Sequence, residues 1–183
     1  MDYVDTEVLF SREEIKNKVA ELGKAISEDY AGNELLVVGI LKGAFIFMAD
    51  LVREIDISLE IDFMDVSSYG LSTTSSGEVR IIKDLEYSIQ DKDVLIIEDI
   101  VDTGLTLKHI TDMLRTRNPR SIKICCLLDK PSRRKASIIA DYVGFTIPDR
   151  FVVGYGIDYA ERYRNYPEIC FIRPSVEGNV IKG

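Results

Sequence analysis

The stretch VLIIEDIVDTGLT, Val94 to Thr106, sets an apolar run against two adjacent carboxylates, Glu98 and Asp99, then a third, Asp102, then Thr-Gly-x-Thr. Adjacent carboxylates repel, and desolvating them is costly unless a cation or a hydrogen-bond donor meets them. Thr103, Gly104 and Thr106 fall where a strand passes into a helix. Backbone N–H groups point outward there, the helix dipole is positive, and glycine lets the backbone approach an anion. That arrangement suits a phosphate cradle, although an ordinary N-cap with a glycine turn would use the same residues. Beside a phosphate, Glu98 and Asp99 suit a ribose, accepting from its hydroxyls or holding Mg2+ against them. Solvated acids at a strand end are the plainer reading, and Asp102 following so soon weighs against it.

Two other phosphate motifs fail. No G-x-x-x-x-G-K-[ST] occurs, and GYGIDY carries Tyr159 where a dinucleotide fingerprint needs its third glycine. His109 is the single histidine, which argues against a histidine metal site. Three cysteines, two of them adjacent at Cys125 and Cys126, make neither a disulfide framework nor a zinc spacing and read as buried thiols.

Elements of the right kind flank these residues. Ser11 and Glu14 form a capping box, after which Ile15, Val19, Leu22, Ile26 and Tyr30 share one helical face. Glu34 to Ile40 reads as a strand, AFIFMADLVREI as a helix, and Ser58 to Val66 as an alternating strand. Ser67 to Gly77 is small and polar with no apolar period, as in functional loops. A short strand near Val79 to Ile82, a strand Val94 to Ile97 and a helix from Leu105 to Arg117 follow; SIKICCLLD, DYVGFTI and FVVGYGI supply further strands. Strands apolar on both faces and alternating with helices predict a parallel sheet covered on both sides. Ligands bind outside the carboxyl ends of such strands. Leu41-Lys42-Gly43, Glu98-Asp99, Asp129-Lys130 and the segment after Val153 would then share one rim.

The chain has 183 residues, 46% hydrophobic and 30% charged, with a formal net charge of -8. Those totals predict one globular domain and argue against nucleic acid held by general electrostatics. Neither a bilayer-spanning run nor a secretory signal is visible, so a soluble cytoplasmic protein is expected.

VLIIEDIVDTGLT resembles the 5-phosphoribosyl 1-diphosphate (PRPP) signature of the type I phosphoribosyltransferases. GILKGAFIF, SSYG, LLDKPSRR and VGFTIPDRFVVGYGIDYAERYR resemble the hypoxanthine-guanine branch, so the likeness runs from about Val37 to Arg164. It implies an α/β, Rossmann-like parallel-sheet core over about 34–150, with helices on both faces. A small hood from the N-terminal segment and about 151–174, and a mobile active-site loop over about 67–78, would complete one domain. The implied reaction is purine salvage with Mg2+: transfer of the 5-phosphoribosyl group from PRPP to N9 of hypoxanthine or guanine, giving IMP or GMP and diphosphate. A nucleotide-sensing, RNA-binding regulator on the same fold is the alternative, which the acidic charge disfavours.

The resemblance also assigns roles. Asp102, Thr103, Gly104, Leu105 and Thr106 match the 5'-phosphate loop, with Leu105 standing where some relatives carry lysine. Asp102 matches the candidate general base near purine N7, a role that burial or acidic neighbours would favour by raising its pKa. Lys42 and Gly43 match the diphosphate loop, whose Leu-Lys peptide can be cis, and Arg164 matches a diphosphate-pairing arginine. Glu98, Asp99 and Asp158 match the Mg2+ anchors. Lys130, Phe151, Val152 and Asp158 match the purine pocket, Lys130 as donor to a 6-oxo group and Phe151 as stacking ring. Ser68 and Tyr69 head the matching lid. A homodimer or homotetramer is expected on family grounds, and the tail PSVEGNVIKG matches nothing distinctive.

Overall fold

The computed structural model describes residues 5–68 and 79–173. Its first strand, β1 (Thr6–Phe10), leads into helix α1 (Arg12–Asp29). The Ser11 side chain accepts from the Glu14 amide while the Glu14 carboxylate accepts from the Ser11 amide, so the expected capping box starts the helix. Ile15, Val19, Leu22 and Ile26 are buried on its inner face.

Strand β2 (Leu35–Leu41), helix α2 (Phe45–Glu54) and strand β3 (Leu59–Ser68) form the first crossover. Strand β4 (Val79–Lys83) turns back against β3, and strand β5 (Asp93–Val101), helix α3 (Leu105–Arg115) and strand β6 (Ser121–Asp129) form the second crossover. A 3-10 turn (Pro131–Arg133) precedes β7 (Tyr142–Thr146), and the short strands β8 (Val152–Val153) and β9 (Ile169–Ile172) end the described chain.

Six strands make the main sheet in the order β4-β3-β2-β5-β6-β7. Its five inner pairings run parallel except β3 with β4, which is antiparallel. The sheet is mostly parallel, as expected, with one antiparallel edge: the chain between β3 and β4 is too short for a crossover, so β4 returns against β3. Helices also bridge fewer strands than the alternation implies, because only the 3-10 turn stands between β6 and β7. FVVGYGI is corrected as well. It contributes just two strand residues, and these join β1 and β9 in a separate antiparallel sheet ordered β1-β9-β8. Neither β1 nor β9 was legible beforehand, since runs of four or five residues carry little period.

Alternation along the parallel strands separates two cores. Val37, Leu95, Ile97, Cys125 and Leu127 face α1 and α2, whereas Leu36, Val38, Val94, Ile96, Ile124 and Cys126 face α3. Cys170 lies in a third small cluster with Val153 and Ile172. All three cysteines are free and buried. Gly23 lets α1 and α2 close together, because a Cβ there would lie 2.5 Å from Glu54 Cβ. Among the described residues no helix is long and apolar enough to cross a membrane.

β2 continues through α2 to β3 on one side, whereas β5 continues through α3 to β6 on the other. The order therefore reverses between β2 and β5, and the carboxyl ends of those two strands open a crevice. At the far edge, buried Asp62 on β3 accepts from the Phe63 and Glu86 amides (2.7 Å each) and from Lys83 Nζ on β4 (3.1 Å). Burial by itself would raise the Asp62 pKa, but those donors hold it below the ordinary 3.8. Its stabilising contribution is thus complete above about pH 4 and lost as pH falls through the lower folded value. Asp62→Ala should cost about 2–3 kcal/mol, lowering Tm by about 5–10 °C at pH 7 and by less near pH 2–3, read by thermal melts across pH.

Candidate active site

The β2–β5 crevice gathers most of the residues singled out by type and spacing. A cavity of about 470 Å³ is lined by Lys42, Gly43, Glu98, Asp99, Asp102 to Thr106, Asp158 and Arg164. β5 runs on through Val101, so Glu98 and Asp99 lie within the strand rather than beyond it. The reading that ended this strand at Ile97 is corrected by β6, whose Cys126 and Leu128 pair with Glu98 and Ile100 and carry the ladder past the acids.

Glu98 and Asp99 are only partly exposed, and like charges this close resist joint ionisation. Burial, with the neighbouring Asp99 charge second, pushes the Glu98 carboxyl well above its usual range. Burial also raises Asp99, against the Ile100 amide, which donates to its Oδ1 at 2.7 Å, and the Arg164 charge. The pair is a carboxylate site short of positive charge. Gly43 makes room for it: a Cβ at Gly43 would lie 1.7 Å from Asp99 Oδ2. On the other side of Gly43, a Cβ at Gly156 would come within 2.2 Å of the Gly43 carbonyl oxygen. The Leu41–Lys42 peptide ahead of this glycine is cis, as the resemblance allowed.

After β5 the chain turns through Asp102 and Thr103 to Gly104, which takes the left-handed conformation (φ 76°) at the start of α3. Gly104 offers no capping side chain, and Thr103 Oγ1 accepts from the Leu105 amide at 3.4 Å. The Thr106 and Leu107 N–H groups that follow suit an anion. Arg133 Nε lies 2.8 Å from Asp102 Oδ1 as an ion pair, yet that buried oxygen accepts no aligned hydrogen bond. Arg133 reaches Asp149 as well, at 3.4 Å.

Across the cavity, Arg164 Nη2 pairs with Asp158 Oδ1 at 2.8 Å, and its Nη1 donates to the Gly156 carbonyl at 2.9 Å. Asp158 Oδ2 accepts from the Glu161 amide at 2.9 Å. Lys42 Nζ pairs with Glu161 at 3.0 Å. Among the described residues no three histidine, cysteine or acidic side chains converge as a metal cluster. The oxygen donors nevertheless fit Mg2+, which takes one or two carboxylates and completes its shell with substrate oxygens and water.

Lys130 adjoins the cavity wall at Val101, with Phe151 and Val152 beyond it. Lys130 is 5% exposed, its amide donates to Val101 O at 3.0 Å, and its Nζ lies 5.9 Å from the Phe151 ring centroid. Burial holds the Lys130 ammonium below its usual pKa, with the Asp102 and Asp149 charges pulling the other way. Phe151 is 56% exposed and Val152 is buried, so a flat apolar ring face is free beside a buried cation. Ser68 ends β3, and Tyr69 with the remaining expected lid to residue 78 lies outside the described residues, as does the tail from 174. A second cavity of about 450 Å³, between α1, α2 and residues 165–167, holds none of these groups.

Residues 6–160 match the family model described as phosphoribosyl transferase domain. The chain belongs to that family. This phosphoribosyl transferase domain is 60% identical to the hypoxanthine-guanine phosphoribosyltransferase of Bacillus subtilis (strain 168), over 92% of the chain and 94% of the relative. A crystal structure of a hypoxanthine phosphoribosyltransferase from Staphylococcus aureus superposes with a TM-score of 0.91 at 58% identity, covering 94% of each chain. The hypoxanthine phosphoribosyltransferase of Trypanosoma cruzi, a mutant solved as a ternary substrates complex, superposes at 0.89 with 42% identity, covering 96% of this chain and 99% of that one. The α/β fold with a mostly parallel sheet is that of these structures.

Arg133 and Lys135 also line the cavity and were not singled out by sequence. LLDKPSRR drew attention to Lys130, but nothing in the string tells which of its cations turn inward. Gly43→Ala should displace the Asp99 carboxylate and reduce phosphoribosyl transfer about 100-fold or more with circular dichroism unchanged, since small misplacements at a reacting centre cost that much.

Proposed function

We propose that this domain transfers the 5-phosphoribosyl group of PRPP to N9 of hypoxanthine or guanine, forming IMP or GMP and diphosphate in purine salvage, with Mg2+ required. The observation that carries the proposal is the convergence, at one crevice between β2 and β5, of a glycine-opened helix start, a carboxylate pair raised by burial and mutual charge, and the Lys42-Gly43 loop. Relatives of about 60% identity named for this activity support it.

In this reading Thr103, Gly104, Leu105 and Thr106 bind the 5'-phosphate through backbone N–H groups and threonine hydroxyls. Glu98 and Asp99 take the ribose hydroxyls, and they hold Mg2+ from one side as Asp158 does from the other. Held there, Mg2+ would supply positive charge against the diphosphate. Lys42, Gly43 and Arg164 bind the same diphosphate, which requires Lys42 to leave Glu161. As the C1–diphosphate bond breaks, charge builds on the ribose. Asp102 accepts or stabilises the proton on purine N7, and Arg133 must move off Oδ1 to let it do so. Phe151 stacks on the purine, with Val152 beneath the ring. Lys130 has only donors, so it suits a 6-oxo group and leaves the amino group of adenine unmatched. Ser68 and Tyr69 head the lid that excludes water from the reacting ribose. The same reading divides the domain into a core over about 34–150 and a hood formed by the N-terminal segment and about 151–174. It makes the protein a cytoplasmic homodimer or homotetramer.

A spectrophotometric assay with PRPP and Mg2+ against hypoxanthine, guanine, xanthine and adenine tests the proposal. Nucleotide should form from hypoxanthine and guanine and at least about 100-fold less from adenine. Chelation should abolish turnover and added Mg2+ restore it. Asp102→Asn should lower kcat by about 100-fold or more, and Lys130→Ala should lower kcat/KM for both oxopurines. Equal use of adenine, or full activity in Asp102→Asn, would sink it.

A further inference from the structure

Four cations line the main cavity: Lys42, Arg133, Lys135 and Arg164. Three are engaged, Lys42 with Glu161 at 3.0 Å, Arg133 with Asp102 at 2.8 Å and Arg164 with Asp158 at 2.8 Å. Lys135 has no acidic partner among the described residues. We infer that Lys135 supplies the counter-charge for the 5'-phosphate, from outside the loop that cradles it. The inference rests on the phosphoribosyl-transfer reading.

The cradle itself is short of positive charge. Asp102-Thr103-Gly104-Leu105-Thr106 holds no basic side chain and one acid, with Glu98 and Asp99 close behind in β5. A helix start contributes about half a positive charge, well below what a phosphate dianion beside three carboxylates requires. Lys135 is fixed against this loop by its own backbone. Thr103 O accepts from the Lys135 amide at 2.9 Å and from the Ala136 amide at 3.1 Å, so the strap after the 3-10 turn lies directly on the cradle.

The neighbouring cation packs against the loop backbone. Arg134 pairs with Asp129, and its Nη1 would lie 3.2 Å from a Cβ at Gly104. Lys135, by contrast, is exposed and lines the cavity. Arg134 thus braces the loop and Lys135 addresses its occupant. An ammonium on a four-carbon stem suits a phosphate whose position is already set by amides, because it adds charge without imposing a second geometry.

Lys135→Ala, Lys135→Arg and the double variant Lys135→Ala/Leu105→Lys test this, the last placing a cation on the loop itself. Lys135→Ala should raise KM for PRPP about five- to tenfold, with kcat and KM for hypoxanthine within about twofold of the parent. Lys135→Arg should stay near the parent, and Leu105→Lys should recover most of the loss. An unchanged KM for PRPP in Lys135→Ala would overturn the inference. So would a Lys135→Arg as impaired as alanine together with no recovery from Leu105→Lys. Calorimetric titration with ribose 5-phosphate reads the same contact without turnover. If no base is converted, the reaction reading fails, and that titration still decides whether Lys135 meets a phosphate.

Discussion

Everything at the crevice depends on holding two carboxylates side by side where the strand order reverses. Glu98 and Asp99 stay there because β5 is pinned by β2 as far as Ile97 and by β6 on to Val101, so the backbone that carries them is held from one flank beyond the point where β2 ends. Their mutual repulsion is therefore built in rather than relieved by the protein. A rigid sheet keeps that frustration in place, which a flexible loop bearing the same residues would dissipate.

The surrounding elements follow from that constraint. Gly43 and Gly156 are small because the loop at 42–43 must pass between the Asp99 carboxylate and the turn at 154–157. Arg164 ties the same turn to Asp158 and to the Gly156 carbonyl. The segment carrying Phe151 and Val152 on one side and Asp158 and Arg164 on the other thus links the small sheet to the mouth of the large one.

Much of this was legible in residue order. The helix starts, the buried strands and the loop at 102–106 carry local signals of capping, period and glycine placement, and those survive folding. What could not be read depends on partners distant in sequence. β5 was cut short because acids end an apolar run, whereas the ladder to β6 carries them onward. β1 and β9 stabilise each other across most of the chain, and neither run shows a period of its own. Lys130 and Phe151 are marked by motif likeness, but the approach of the Lys130 ammonium to the Phe151 ring, 5.9 Å from its centroid, is a three-dimensional fact. The pairing of Lys42, Arg133 and Arg164 with specific acids, which leaves Lys135 without an acidic partner among the described residues, has no trace in the local string.

The distribution of thiols has a consequence for following this molecule in solution. Cys125 and Cys126 are adjacent, yet strand alternation sends one into the core beneath α1 and α2 and the other into the core beneath α3, while Cys170 sits in the cluster of the small sheet. Each hydrophobic compartment therefore contains one free sulfur. Burial pushes the Cys125 thiol well above its ordinary value and Cys126 to about 12, so neither reacts while its compartment is closed. The chain thus carries a native set of chemical clocks, one for each compartment. The order in which a thiol reagent reaches them records the order in which the three layers come apart.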